Sequence, residues 1–251
     1  MSDLKNRVAL VTGGSSGIGE AIARKFAGAG AKVAVVASSG QDKADAVAKA
    51  IGGKGYVCDV RNAAAVAALV KQVESDLGPL DILVNSAGVF YPTVAGETPA
   101  VDIDRMVDIN LKGSFHTLNA VAPGMKDRKR GWVVNIASCA GIVGVVPFSL
   151  YSATKAAVIM LTKVSGRELA PFGVHVNAIA PGNTATPMNA AIRTEPEHKA
   201  VHDVMKSITP SQTVFTDPAD IAGGALFLVS DTARPMYGAV LSMDEGVTTG
   251  L

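Results

Sequence analysis

The chain has 251 residues, 48% hydrophobic and only 18% charged, with 23 Lys and Arg against 22 Asp and Glu for a formal net charge of +1. This length suits a single α/β domain, 1–251, and the near-neutral charge gives no reason to expect nucleic acid or an anionic membrane as a partner, since both call for a concentrated basic face. A charged fraction below the roughly 25% of an average soluble protein leaves more surface to be covered by other subunits.

Short β-branched runs recur along the chain: "RVALVT" (7–12), "AKVAVVA" (31–37), "KGYVCD" (54–59), "LDILVN" (80–85), "GWVVNIAS" (131–138), "VHVNAIAP" (174–181) and "GAVLSMD" (238–244). The stretches between them, such as 17–29, 62–77 and 217–230, place apolar residues every three or four positions and read as helices. Strands apolar throughout are buried on both faces, and helical crossovers between them force parallel pairing. The fold class is therefore α/β: a Rossmann-like, doubly wound, parallel seven-stranded sheet with helices on both faces. The basic cluster "KDRKRG" (126–131) reads as the solvated C-terminal end of a helix, where cations suit the dipole. The segment 182–213 is a polar helical insertion after the sixth strand, where a lid or substrate loop belongs.

The first strand, turn and helix carry Gly13-x3-Gly17-x-Gly19. A side chain at Gly13 or Gly17 would keep a pyrophosphate from the backbone N–H groups at the helix start, and Gly19 permits close helix packing. Ser15 and Ser16 add hydroxyl donors facing the same anion. Further on, Tyr151 and Lys155 stand four apart on the helix expected at about 150–170, so both project from one face. Lowering a phenol from about 10 to about 7.5 takes about 3.4 kcal/mol, and an ammonium about 4 Å away at an effective dielectric of about 20 supplies about 4 kcal/mol. One lysine is expected to suffice. Ser138, at a strand C-terminus, completes the set as an oxyanion donor.

"TGGSSGIG" (12–19), "CDV" (58–60), "NSAG" (85–88), Asn110, Ser138, "YSATK" (151–155) and "PGNTAT" (181–186) occur in the order of the short-chain dehydrogenase/reductases, and the chain resembles that family over essentially its whole length. The resemblance implies a dinucleotide held by the glycine turn with Ile18, by Ser38 and Ser39, by Asp59 and Val60 at the adenine, by Asn85, Ala87 and Gly88, and by Pro181, Gly182, Thr184 and Thr186 at the nicotinamide. It implies catalysis by Asn110, Ser138, Tyr151 and Lys155, with Lys155 also holding the ribose and Asn110 maintaining a water relay. Ser86 stands where the family has a second Asn, which removes an amide. A homotetramer in the cytoplasm is implied as well.

An NAD site usually ends its second strand with an acid that repels a 2′-phosphate. Here that position is Ala37, followed by Ser38 and Ser39, so the balance leans to NADP(H) over NAD(H), although Ser16 and Ser38 stand where many NADP enzymes of the family carry a basic residue. The overall pattern is similar to the 3-oxoacyl-acyl-carrier-protein reductases, yet Phe172 replaces a basic docking residue and "DEG" (244–246) departs from the usual D-G-G or N-G-G, while Lys129 keeps part of the basic surface. A small carbonyl or alcohol substrate touching Ser138, Cys139, Tyr151 and Met188 is expected, in a wall that includes Val89, Phe90, Tyr91, Ala140 and residues of 189–208. A dinucleotide sensor without turnover is the reading from another class; retention of Ser138, Tyr151 and Lys155 argues against it. Cys58 and Cys139 are too few for a disulfide framework, and His116, His175, His198 and His202 show no metal-ligand spacing, so no metal is expected. The N-terminus lacks an apolar leader, and no apolar run approaches the about 18 residues of a membrane span.

Overall fold

The computed structural model describes residues 3–249. Its seven strands are β1 Val8–Thr12, β2 Lys32–Ala37, β3 Lys54–Val57, β4 Leu80–Asn85, β5 Gly131–Ile136, β6 Val174–Pro181 and β7 Val240–Met243. They pair in the order β3-β2-β1-β4-β5-β6-β7, every pair parallel. The strand order reverses between β1 and β4, and a doubly wound sheet opens a crevice at that point, beyond the strand C-termini. The register there is Val36, Thr12, Asn85 and Asn135 side by side, so the residues that follow these strands all face one edge.

The helices are α1 Gly17–Gly28, α2 Gln41–Ile51, α3 Ala63–Leu77, α4 Ala100–Val107, α5 Gly113–Arg128, α6 Ser149–Leu169, α7 Ala190–Thr194, α8 Lys199–Ser207 and α9 Pro218–Leu228. Alternate strand residues go to opposite layers. Val11, Val35 and Ile82 pack with Ile22 and Phe26 of α1, Val47 of α2 and Ile221 and Leu228 of α9. Leu10, Val36 and Leu83 pack with Val66, Leu69 and Val73 of α3 and Leu118, Val121 and Met125 of α5. A third cluster sets Val158 and Ile159 of α6 on Ala137 and Ala178. All of these are buried, which at about 1.5–3 kcal/mol for each large side chain makes the two layers the main source of stability.

Two features escape the apolar pattern. A π-helical turn at Asp108–Lys112 joins α4 directly to α5, widening the helix at the buried Asn110. Within the layer under α5 and α6, Asn85 donates to Asn135 Oδ1 (2.9 Å) and to Ser114 O, accepts from Thr117 Oγ1 (2.6 Å), and Asn135 donates to Thr162 Oγ1 (2.9 Å). This closed polar chain locks β4, β5, α5 and α6 together. A buried network of this kind stabilises only because every member is satisfied.

The basic end of α5 is held by internal partners. Arg128 donates to Leu80 O (2.7 Å) and pairs with Glu74, Arg130 pairs with Asp81, and Lys126 sits 4.5 Å from the centre of the Phe172 ring.

Candidate active site

The glycine turn answers first to the protein's own backbone. Gly13 and Gly17 take positive φ of 64° and 55°, which L side chains rarely adopt. A Cβ on Gly19 would lie 2.3 Å from Gly13 O, and one on Gly13 would lie 2.9 Å from Ala87 N and Ser86 O. The close contact at Gly19 is the helix packing the motif implies, a Cβ on Gly17 would lie 3.2 Å from Thr186 Cγ2, and Gly13 in addition meets the end of β4. Thr12, which the motif reading passed over, fixes this approach by accepting from Ser86 N (3.2 Å) and Ala87 N (3.3 Å). Ser16 occupies the N-cap of α1 in an extended conformation without capping it through its side chain, so the helix opens toward the crevice with first-turn N–H groups free of side-chain acceptors.

Ser138 and Tyr151 meet because a short 3-10 turn, Cys139–Gly141, presses on α6. A Cβ on Gly141 would lie 2.7 Å from the backbone carbon of Lys155. The first turn of α6 is anchored by Thr93, whose hydroxyl accepts from Leu150 N (3.0 Å). Phe90 packs edge-on to the Tyr151 ring at 4.8 Å and stacks on Phe148 at 4.4 Å. Ser138 Oγ accepts from Ala140 N (3.2 Å). One turn along α6, the buried Lys155 ammonium donates to Ile136 O (2.8 Å) and lies 5.8 Å from the centre of the Tyr151 ring.

The buried Asn110 amide accepts from Val89 N (2.8 Å) and donates to Val89 O (3.0 Å) and Thr154 Oγ1 (3.3 Å). A Cβ on Gly88 would lie 3.3 Å from Asn110 Oδ1 and 3.8 Å from Lys155 Nζ, so the π turn, the loop after β4 and α6 converge on that glycine.

The expectation that one lysine brings the phenol near neutrality is corrected. Burial pushes Tyr151 up to about 12, against a smaller lowering from its hydrogen bond with Ser138, and burial pulls Lys155 down to about 8. Taking either group out of water disfavours its charged form. Desolvation is thus the largest influence on both groups. Burial also pushes the Cys139 thiol up, which disfavours the thiolate a nucleophile would need.

These groups line one crevice of about 580 Å³, within the range of ligand sites. Of the expected residues, Gly13, Ser15, Ser16, Gly17 and Ile18 form its floor, and Ser38, Ser39, Asp59 and Val60 one end. Ala87, Gly88, Ser138, Cys139, Tyr151 and Lys155 form the other end, under Pro181, Gly182, Thr184, Thr186 and Met188. Three of the expected cofactor-binding and catalytic residues do not reach the wall. Gly19 packs behind the turn, Asn85 spends its amide on the interior network, and Asn110 acts through Val89 and Thr154. Val89, Phe90, Ala140 and, from 189–208, Met205 and Ile208 line the wall as expected and Tyr91 does not; Phe148, Arg105 and Arg61 line it without having been expected. The histidine reading also needs correcting, because Glu195 and Glu197 bring carboxylates within 4.8 Å of the His198 ring nitrogen, in an exposed cluster on the insertion.

The geometry is that of a crevice at the strand C-termini, floored by the glycine turn and holding a Ser, Tyr and Lys cluster, and residues 7–197 match the model of the short chain dehydrogenases. This chain belongs to that family. It is 39% identical to a D-threitol dehydrogenase of Mycolicibacterium smegmatis, over 98% of this chain and 94% of that one. A 3-oxoacyl-acyl-carrier-protein reductase of Staphylococcus epidermidis is 36% identical over 96% of this chain and 99% of its own. The crystal structure of a gluconate 5-dehydrogenase from Burkholderia cenocepacia, in complex with NADP and tartrate, superposes with a TM-score of 0.92 at 31% identity, covering 99% of this chain and 98% of that one. The short-chain dehydrogenase described here is an NAD(P)-dependent oxidoreductase. Among the described residues, no helix is long and apolar enough to cross a membrane.

Proposed function

We propose that the protein interconverts a secondary alcohol and its ketone with NADP(H), Tyr151 acting as general acid in reduction and general base in oxidation. The convergence of Ser138, Tyr151 and Lys155 at one end of the crevice, with the open N-terminus of α1 along its floor, carries this reading. The residues fit a dinucleotide. The buried Lys155 ammonium has three N–H donors and one protein acceptor, Ile136 O, which leaves donors for ribose hydroxyls.

When bound, the nicotinamide supplies or accepts the hydride. The chain supplies the rest. Ser138 would donate to the reacting oxygen as charge develops on it. Tyr151 would pass its proton to that oxygen, a contribution of about 10²–10⁴-fold for a positioned acid. Lys155 would orient the ribose, and its charge would help Tyr151 ionise in the oxidative direction. Asn110 would hold Val89 and Gly88 in place beneath these groups. Phe90, Phe148, Cys139, Met188 and Met205 give the substrate end an apolar lining, which favours a small carbonyl compound with an apolar flank.

The likeness to a 3-oxoacyl-acyl-carrier-protein reductase carries a second reading. Against it, Phe172 stands where those reductases carry a basic docking residue, and Arg128, Arg130 and Lys126 are paired with Glu74, Asp81 and the Phe172 ring, which leaves the exposed Lys129 to meet an acidic carrier. Exposed Met160 and Val164, one turn apart on α6, and exposed Phe115 on α5 form an apolar surface that supports the homotetramer. Sedimentation of the wild type and of Met160→Glu tests it.

Nicotinamide absorbance followed over a panel of ketones, keto esters, polyols and acyl thioesters with NADPH and NADH tests the activity. Tyr151→Phe is expected to lose at least about 10²-fold in kcat on the best substrate while still binding dinucleotide. Wild-type turnover by that variant would remove Tyr151 from the role, and NADPH binding with no turnover on any carbonyl would make the protein a sensor.

A further inference from the structure

The crevice end beyond Ala37 meets an adenosine without an acid at the end of β2, yet also without the basic residue at Ser16 or Ser38 by which many relatives would grip a 2′-phosphate. The structure supplies a cation from another strand. Cys58 N donates to Ala37 O (2.9 Å), which sets the chain after β3 alongside the exposed Ser38 and Ser39. Arg61 follows three residues later and lines the same crevice as Ser38 and Ser39.

Its guanidinium is already oriented. Arg61 Nε donates to both oxygens of Asp59 (3.0 and 2.9 Å), Nη2 donates to Oδ2 (2.5 Å), and the Arg61 backbone N–H donates to Oδ1 (3.0 Å). Asn62, the next residue, caps α3 through Ala65 N (3.0 Å), so the segment carrying Arg61 is fixed from both sides. The side chain is about half exposed at 49%, and Nη1 has no acceptor among the described residues. The neighbouring acid of the π turn, Asp108, is paired with Lys112 at 2.7 Å.

We infer that Arg61, with the Ser38 and Ser39 hydroxyls, is the recognition site for the 2′-phosphate of NADP(H) and so sets the cofactor preference; this rests on the NADP(H) reading above. A guanidinium presents donors in a planar fork that suits phosphate oxygens, and pre-orientation by Asp59 lowers the entropy lost on binding. Asp59 cancels part of the Arg61 charge, which makes the free Nη1 edge, rather than net charge, the recognition element.

Calorimetric titration with 2′,5′-ADP and with 5′-AMP, which differ by the 2′-phosphate, tests the inference without turnover. Arg61→Gln is expected to weaken 2′,5′-ADP by about 10- to 100-fold, the scale of a charge-assisted hydrogen bond, and to leave 5′-AMP within about threefold. Arg61→Lys, which keeps a cation without the fork, is expected to fall between. Equal weakening of both ligands, in a variant whose thermal midpoint matches the wild type, would make Arg61 a support for Asp59 and overturn the inference. So would unchanged binding of both. A wild type that binds 5′-AMP as tightly as 2′,5′-ADP would overturn the NADP(H) reading itself, and the inference with it.

Discussion

Asn110 holds Val89 by both of its backbone polar groups, accepting from the amide at 2.8 Å and donating to the carbonyl at 3.0 Å. Only a primary amide of this length does both. In Asn110→Asp an oxygen would face the Val89 carbonyl, and one buried acceptor would lose its donor at a cost of about 1–3 kcal/mol. For a chain of this size that lowers the thermal midpoint by about 2–10 °C. The loop carrying Val89 and Gly88 would shift beneath Lys155, so kcat is expected to fall by at least about tenfold while dinucleotide affinity stays within a few-fold. Melting curves, steady-state kinetics and binding on one preparation check this, and a variant with wild-type melting and turnover would show that the double grip positions nothing.

The buried Lys155 gives the protein without ligands a pH signature. Its folded pKa is near 8, below the ordinary value of 10.5. Below pH 8 the ammonium is charged in both folded and unfolded chains, and the penalty of burying it is fully present. Between pH 8 and 10.5 the folded state releases its proton first, the unfolded chain binds more protons, and stability from this group rises with pH. Lys155→Met is therefore expected to be more stable than the wild type at pH 7, with an advantage that shrinks toward pH 10. Tyr151 acts in the opposite sense, but only above pH 10 and equally in both proteins, since its raised pKa is lost as a stabilising influence between about 10 and 12. Urea midpoints at pH 7 and pH 10 measure the difference, and a gap that does not change with pH would rule the mechanism out.

Much of this architecture is legible in the sequence because it depends on short-range patterns. The apolar runs give the seven strands to within two residues at nearly every end, as with 80–85 against Leu80–Asn85 and 54–59 against Lys54–Val57. The Tyr151 and Lys155 spacing is fixed by one helical turn, and the structure does bring both to Ser138 in one crevice. The rest depends on groups distant in sequence or on burial. The π turn at 108–112 differs from an α-helix by less than one residue of period over five positions, too little for a hydrophobic pattern to register. Asn85 joins a network drawn from Ser114, Thr117, Asn135 and Thr162, which no local motif announces. Arg61 faces the crevice only because β3 pairs beside β2, and the direction of the Tyr151 shift is set by burial, which spacing does not contain.

The glycines of the turn are not equivalent to other helix glycines. A Cβ at Gly19 would stand 2.3 Å from Gly13 O, a backbone atom that cannot yield without opening the turn, whereas a Cβ at Gly28, in the same helix, meets nothing within 4 Å. Gly19→Ala is expected to weaken dinucleotide binding by more than about tenfold and to lower the thermal midpoint. Gly28→Ala should instead stabilise by about 0.5–1 kcal/mol, by reducing the freedom of the unfolded chain and improving helix propensity. Dinucleotide titration and chemical unfolding of both variants check the contrast; similar behaviour of the two would contradict the close-contact account.

Glu245, the residue that breaks the usual glycine pair after Asp244, adopts a left-handed φ of 57°. Its carboxylate accepts from Thr216 Oγ1 (3.0 Å), and its carbonyl accepts from Ser211 N (3.2 Å). Thr216 in turn bridges the outgoing leg of the insertion, donating to Asn183 O (2.8 Å) and accepting from Ala185 N (3.0 Å), beside Thr184 in the crevice wall. The left-handed backbone costs a non-glycine residue roughly 1–2 kcal/mol, and the Thr216 bond offsets about 0.5–1.5 kcal/mol of that. Two variants separate these contributions. Glu245→Ala keeps the strain and loses the bond, so it is expected to be the least stable; Glu245→Gly loses both and should be more stable than the Ala variant by about 1 kcal/mol. With the root of the insertion untied, both should raise KM for the carbonyl substrate more than they lower kcat. Unfolding midpoints and steady-state kinetics decide it, and an Ala variant as stable as the Gly variant, with unchanged KM, would show that the Glu245 to Thr216 tie neither strains the backbone nor steadies the insertion.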